Sequence, residues 1–147
     1  MENLKKGVAL LTGTTSGVGL NTLKPLIRSG WEIIAINRSN KRAFDECKKI
    51  LSKDEFNHIT FIEIDLSNLD EVRKGAEDII NRFGSNLKIV ICNAAVYKPR
   101  LRKPERSSQG YENSMAVNHF GHFLLINLLL ETILNTSHDI NLNGKDI

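Results

Sequence analysis

The residues best suited to chemistry form a glycine-rich turn, Thr12 to Gly19, with the spacing Gly-x-x-x-Gly-x-Gly. The turn stands where an aliphatic run gives way to helical periodicity. Free N–H groups and the positive dipole end of a helix start bind a dinucleotide pyrophosphate, and glycines permit close approach. A P-loop is excluded because the turn has no lysine, whereas a turn that only connects two elements remains the alternative. The predicted phosphate site comprises Gly13, Thr14, Thr15, Ser16, Gly17, Val18 and Gly19.

The end of the next aliphatic run indicates which dinucleotide is bound. About 20 residues past the glycines, NAD-binding units usually place Asp or Glu to accept bonds from the ribose hydroxyls. Here the residues are Asn37 and Arg38, with Lys41 following. A guanidinium holds a 2′-phosphate through several N–H donors, and Lys41 is placed to assist. The sequence therefore favours NADPH as the cofactor, unless Arg38 only solvates the end of the strand.

Short aliphatic runs alternate with longer stretches of helical periodicity, which predicts a β-α-β-α-β-α-β succession and a parallel sheet. The expected strands are 7–11, 31–36, 59–64 and 87–92, and the expected helices are 17–29, 41–51, 69–83 and 111–134. In the first helix, the residues predicted on the apolar side are Val18, Leu23, Leu26 and Ile27. We predict an incomplete Rossmann-type doubly wound α/β fold with strand order 3-2-1-4, a domain over 1–135 and a polar tail over 136–147. The uncovered edge of the fourth strand favours self-association.

Composition limits the classes of function. A chain of 147 residues with 41% hydrophobic and 25% charged residues is typical of soluble globular domains. No apolar stretch approaches the about 20 residues that span a bilayer, so we expect no integral membrane segment and a cytoplasmic location. Cys47 and Cys92 match neither a redox nor a zinc spacing, and His119 and His122 lack a third ligand, so no metal site is predicted.

Positive charge is concentrated between positions 98 and 106, where five basic residues face one acidic residue. Such a segment suits an acidic substrate or peripheral contact with an anionic membrane, although a solvated loop is the simpler interpretation. Nucleic-acid binding is not expected, because interleaved aromatic residues and an overall basic composition are missing.

Three further segments, Ile64 to Ser67, Cys92 to Ala95 and Val117 to Phe123, resemble landmarks of the short-chain dehydrogenase/reductase family in the same order. The resemblance covers about 4–136. It implies that Asp65 and Leu66 flank the adenine, and that Asn118 supports catalysis by ordering a water near the active lysine. It also implies that the nicotinamide side is lined by Asn93, Ala94 and Ala95. The alternatives are that Asp65 caps the next helix or is solvated, and that Asn118 satisfies the helix backbone.

Within that family, the stretches 92–99, 110–112 and 118–125 are similar to the amino-terminal part of light-dependent protochlorophyllide oxidoreductases, with the cyanobacterial form expected to be nearest. The resemblance implies hydride transfer from NADPH to a tetrapyrrole in chlorophyll biosynthesis, peripheral to photosynthetic membranes. Tyr97 is then a candidate substrate contact, or it simply packs.

The family's Tyr-x-x-x-Lys pair is not found in this sequence. Tyr97 and Tyr111 are followed four residues later by Leu101 and Met115, so we expect the chain to be inactive alone. Two alternatives remain open at this point. The chain is either the front part of a retinol or other lipophilic carbonyl reductase, or a non-catalytic nucleotide-binding or interaction module.

Overall fold

In the computed structural model, which describes residues 6–98 and 103–137, four parallel strands form one sheet in the order β3-β2-β1-β4. The strands are β1 (Gly7–Thr12), β2 (Trp31–Asn37), β3 (Ile59–Glu63) and β4 (Leu87–Ile91). The helices are α1 (Gly17–Arg28), α2 (Asn40–Ile50), α3 (Lys53–Phe56), α4 (Leu69–Phe83), α5 (Asn113–Met115), a π-helical segment (Ala116–Gly121) and α6 (His122–Ser137). The predicted fold class and strand order are confirmed.

The sheet has an apolar layer on each face because successive side chains of a strand point in opposite directions. On one face, Leu10 and Ile34 pack with α4 and α6, which contribute Val72, Ile79, Leu125 and Leu129. On the other face, Leu11 and Ile33 pack with α1 and α2, which contribute Leu20, Leu23, Ile27 and Cys47. Strands covered on both faces read as continuous aliphatic runs, which is why the sequence located them well.

One residue predicted on the apolar side of α1 lies elsewhere. Val18 is 76% exposed, whereas Leu23 and Ile27 are buried and Leu26 is partly buried. Val18 belongs to the first turn of the helix, where the chain has only just left the sheet. Its side chain therefore faces the space beyond the strand ends rather than the core.

The predicted helix over 111–134 is replaced by α5, the π-helical segment and α6, which the structure describes as far as Ser137. Thr136, assigned to the polar tail, is instead buried in α6, and its hydroxyl donates to the carbonyl of Leu87. The remainder of the tail, 138–147, lies outside the described residues. The domain boundary stays a prediction.

The helical stretch Asn113–Thr136 is long and apolar enough, by length and composition, to cross a membrane, with a mean hydropathy of 1.3. This is weak evidence, since the core helix of a soluble protein passes the same test. Leu125 and Leu129 of this stretch are fully buried in the core, and Thr136 bonds to β4. Of the most apolar window of this stretch, 28% is buried, and the exposed large side chains of α6 are Phe123, Ile126, Leu130 and Leu134. One side of α6 therefore packs on the core and the other side is uncovered among the described residues.

Candidate functional site

A cleft of about 380 Å³ opens at the carboxyl ends of the four strands. In open parallel sheets, ligands bind at this edge, next to the point where the strand order reverses. Here the reversal lies between β1 and β4, since β1 pairs with β2 on one side and with β4 on the other. The residues that line the cleft are Gly13, Thr15, Ser16, Val18, Ile36, Asn37, Arg38, Ser39, Arg42, Ile64, Asp65, Leu66, Asn93, Ala94, Ala95, Val96 and Val117.

The glycine turn follows β1 and is tightly fitted against the end of β4. Gly13 has a φ of +75°, and a Cβ there would lie 2.7 Å from the Cα of Ala94. A Cβ on Gly19 would collide with the carbonyl oxygen of Gly13 and with the side-chain nitrogen Nδ2 of Asn93. Gly17 also has a positive φ, +56°, but faces open space. The turn therefore needs glycine for close approach at Gly13 and Gly19 and for backbone conformation at Gly13 and Gly17.

Two predicted cofactor residues are used to brace this turn. The backbone N–H of Thr14 donates to Oδ1 of Asn37 at 2.8 Å, and Nδ2 of Asn37 donates to the Thr14 hydroxyl at 2.8 Å. Both side chains are buried. The hydroxyl of Thr14 thus fixes the turn to the end of β2, and it does not line the cleft as the sequence had suggested. Thr15 and Ser16 do line it.

Two arginines line the cleft beyond β2. Ser39 caps α2 by accepting a hydrogen bond from the backbone N–H of Arg42, so the helix begins at Asn40. That start brings Arg38 and Arg42 to the cleft, whereas Lys41 is not among the residues that line it. Among the ion pairs between described residues, neither guanidinium takes part. The sequence pattern predicted Lys41 beside Arg38, whereas the second basic residue that lines the cleft is Arg42. Ser39 as a helix cap was the sequence signal for this placement.

The end of β3 forms the wall beside these arginines. Oδ1 of Asp65 accepts hydrogen bonds from the backbone N–H and the hydroxyl of Ser67, at 2.9 and 2.8 Å. The cap of α4 is Asn68, so the alternative role of Asp65 as that cap is not observed. Asp65 and Leu66 both line the cleft.

The end of β4 forms the floor. The side-chain amide of Asn93 donates to the carbonyls of Thr12 and Gly13, each at 3.0 Å. The backbone N–H groups of Asn93 and Ala94 donate to the Thr12 hydroxyl, at 3.0 and 2.9 Å. These bonds tie the floor to the glycine turn, and the methyl side chains of Ala94 and Ala95 leave room above it for a flat ring.

Asn118 occupies an unexpected place. Its Oδ1 accepts the backbone N–H of Val96 at 2.7 Å, and its Nδ2 donates to the Val96 carbonyl at 2.9 Å. The amide therefore fastens the loop after β4 to the π-helical segment and does not satisfy the helix backbone. Tyr97 is 85% exposed and is not among the residues that line the cleft.

In the part of the chain that the structure describes, no cysteine, no histidine and no residue of the basic segment 98–106 lines the cleft. Among the described residues, no cluster of His, Cys, Asp and Glu is arranged to hold a metal. Burial raises the pKa of the Cys47 thiol to about 11, which keeps it protonated at neutral pH. In the basic segment, Lys98 pairs with Glu105 at 2.6 Å. Residues 99–102, including Arg100 and Arg102, lie outside the described residues.

Known proteins resemble this chain in sequence and in fold. The short chain dehydrogenase family model matches residues 7–139. Protochlorophyllide reductase, chloroplastic, of Cucumis sativus is 37% identical over 139 residues, covering 93% of this chain and 34% of that protein. Protochlorophyllide reductase A, chloroplastic, of Oryza sativa subsp. japonica is 35% identical over 139 residues, covering 93% and 35%.

The chain thus spans about a third of the length of these curated relatives. Among solved structures, a metagenomic short-chain oxidoreductase in complex with NADP superposes with a TM-score of 0.73 at 18% identity. The superposition covers 92% of this chain and 60% of that one, and it supports the fold.

Proposed function

Because the chain belongs to the short-chain dehydrogenase family, we propose that its cleft binds NADPH as the cofactor-holding part of a reductase that acts on protochlorophyllide. The family match and the named relatives confirm the resemblance drawn from the sequence motifs. A nicotinamide cofactor follows from the family. The choice of NADPH and the substrate are proposals.

The observation that carries the choice of NADPH is the pair Arg38 and Arg42 at the end of β2. A carboxylate at this position would accept bonds from ribose hydroxyls and repel a 2′-phosphate. Two guanidinium groups supply several N–H donors and two positive charges, which suit a phosphate. The helix start at Gly17 supplies backbone N–H groups for the pyrophosphate on the other side of the cleft.

The residues of this chain hold and orient the cofactor. When bound, NADPH supplies a hydride from its nicotinamide ring. The small side chains of Ala94 and Ala95 give the ring room at the end of β4, and Val96 and Val117 close that part of the cleft with apolar surface. We propose that Asp65 and Leu66 lie beside the adenine, at the end of β3.

The substrate proposal depends on the relatives, which are protochlorophyllide reductases by name. Tyr97 and Tyr111 lack a lysine four residues later, so we propose that proton transfer relies on a tyrosine and lysine outside this sequence. The supporting catalytic role of Asn118 stays a prediction, since its amide is engaged by Val96. The cytoplasmic location and the self-association through β4 also stay predictions, and the relatives are chloroplastic by name.

The cofactor proposal is tested by calorimetric titration of NADPH and NADH against the wild type and three variants, Arg38→Ala, Arg42→Ala and Lys41→Ala. We expect the wild type to prefer NADPH. Each arginine variant should lose about tenfold or more in NADPH affinity, because a charge-assisted hydrogen bond contributes about 1.5–3 kcal/mol, and should bind NADH as before. Lys41→Ala is the matched control and should behave as wild type. Equal wild-type affinity for both dinucleotides would refute the argument from the 2′-phosphate.

Catalysis is tested separately by illuminating the chain with NADPH and protochlorophyllide. We expect cofactor binding without product. Product formation would show that a residue of this chain replaces the tyrosine and lysine pair. A folded chain that binds neither dinucleotide would instead favour the non-catalytic interaction module.

A further inference from the structure

A buried histidine lies directly behind the cleft floor and has no part in the proposed function. His122 is the first residue of α6 and is 6% exposed. Its Nε2 lies 2.8 Å from the hydroxyl oxygen of Thr12, which is fully buried at the end of β1. The pair joins two segments that are 110 residues apart in sequence.

The direction of this hydrogen bond follows from counting protons. A threonine hydroxyl has one proton and two lone pairs. The Thr12 oxygen accepts from the backbone N–H groups of Asn93 and Ala94, which uses both lone pairs. Its single proton is therefore directed at Nε2 of His122, and the imidazole carries its own proton on Nδ1.

The other side of the ring supports the same tautomer. The backbone of Asn118, one helical turn earlier, acts on the imidazole in the direction that raises the pKa of His122, which is the effect of a carbonyl that accepts from Nδ1–H. Burial lowers the pKa of His122, and the bond to Asn118 only partly opposes this effect. The groups that face the ring are thus Thr12 from β1 and Asn118 from the π-helical segment, and no charged side chain among the described residues contributes to the shift.

We propose that His122 is a positioning residue of the dinucleotide cleft, which accepts the Thr12 hydroxyl proton and so directs both hydroxyl lone pairs toward the N–H groups of Asn93 and Ala94. The inference rests on the proposed function, because it assigns the cleft floor to a dinucleotide. Ala94 lies against Gly13 so closely that no side chain fits between them. A shift of Ala94 therefore displaces the glycine turn as well as the cleft floor.

Without an acceptor at position 122, the Thr12 proton has to find another partner. A hydroxyl that rotates toward a different acceptor points its lone pairs away from one of the two N–H groups. Imidazolium has the same effect, because its Nε2–H is a third donor facing an oxygen that already accepts twice. The neutral imidazole is the form that fits.

The first test uses the full chain without nucleotide and asks whether the positioning exists. In nitrogen-15 NMR spectra, we expect Nε2 of His122 to be unprotonated and Nδ1 protonated at neutral pH. We expect slow hydrogen exchange at the amides of Asn93 and Ala94, faster exchange in His122→Phe, and wild-type exchange in His122→Gln, whose side-chain oxygen can accept the Thr12 proton. A proton on Nε2 in the wild type overturns the proposal even if no variant folds, and so does unchanged exchange in a folded His122→Phe.

The second test measures NADPH affinity by calorimetry. We expect His122→Phe to bind about tenfold more weakly and His122→Gln to bind within about threefold of wild type. His119→Phe is the matched control, since His119 is exposed on the neighbouring turn, and it should bind as wild type. Equal weakening by Phe and Gln at position 122 overturns the positioning role. A wild type that binds no NADPH refutes the proposed function instead, while the exchange measurement still decides on His122.

Discussion

Replacing Gly19 with alanine places a methyl group where the structure has no room. The new Cβ would lie far inside the 3.0 Å that real Cβ atoms keep from their neighbours, against both the Gly13 carbonyl oxygen and Nδ2 of Asn93. The turn or the helix start has to shift by roughly 1 Å to relieve the contact. Because Gly13 is packed on Ala94, the shift cannot be absorbed by Gly13 alone.

The cost has two parts. Overpacking of a well-packed site costs about 1–3 kcal/mol. The displaced Asn93 amide also donates to the carbonyls of Thr12 and Gly13, and each lost hydrogen bond adds about 1 kcal/mol. A total of about 3–5 kcal/mol lowers the midpoint of thermal unfolding by about 10–15 °C in a chain of this size.

The matched control is Gly17→Ala in the same turn. Its φ of +56° makes alanine cost about 1–2 kcal/mol, but the Cβ meets open space. Thermal unfolding followed by far-ultraviolet circular dichroism should therefore show a loss of about 3–6 °C for Gly17→Ala. NADPH binding by Gly19→Ala, measured well below its midpoint, should fall more than that by Gly17→Ala. If Gly19→Ala unfolds within about 2 °C of wild type, the close approach that defines this turn is not real.

Two further predictions concern stability. Leu125→Ala should lower the free energy of unfolding in urea by about 2–5 kcal/mol, because Leu125 is fully buried. Ile126→Ala, at a position 39% exposed, should lower it clearly less. Equal losses would contradict the placement of α6. Stability should also fall as the pH drops below 6.5, the ordinary pKa of histidine, because the folded state lowers the pKa of His122 and binds fewer protons than the unfolded chain. The stability that His122 contributes is complete above that pH and lost as the pH falls toward the folded pKa, so a variant without that histidine, His122→Gln, should show a shallower slope.

The sequence located the strands because they are covered on both faces and appear as uninterrupted aliphatic runs, such as β1 and β2. Helix boundaries were less certain, since they depend on caps. The start of α2 at Asn40 follows from the Ser39 cap, and that start decides that Arg42 rather than Lys41 reaches the cleft. The helix α3 has only four residues and leaves no periodic pattern to detect.

Motifs predicted which strand ends and which turn surround the cleft, whereas the hydrogen bonds of these residues were not predictable locally. Asn37 and Thr14 were assigned to the ligand, yet each satisfies the other because both are buried where the turn meets β2. The π-helical segment gave no sequence signal either. Its wider turn is stabilised by contacts distant in sequence, including the bond of Asn118 to Val96.

Those contacts link the cleft to a helix that contributes almost nothing to its surface. Within five residues, Asn118 fastens the loop after β4, Gly121 lies against the carbonyl of Leu66 after β3, and His122 bonds to Thr12 at the end of β1. A ligand that binds only when these three strand ends are in register also stabilises the docked helix, and the coupling is reciprocal. Loosening the helix at any of the three contacts should therefore weaken nucleotide binding, although Val117 alone of the π-helical segment and α6 lines the cleft.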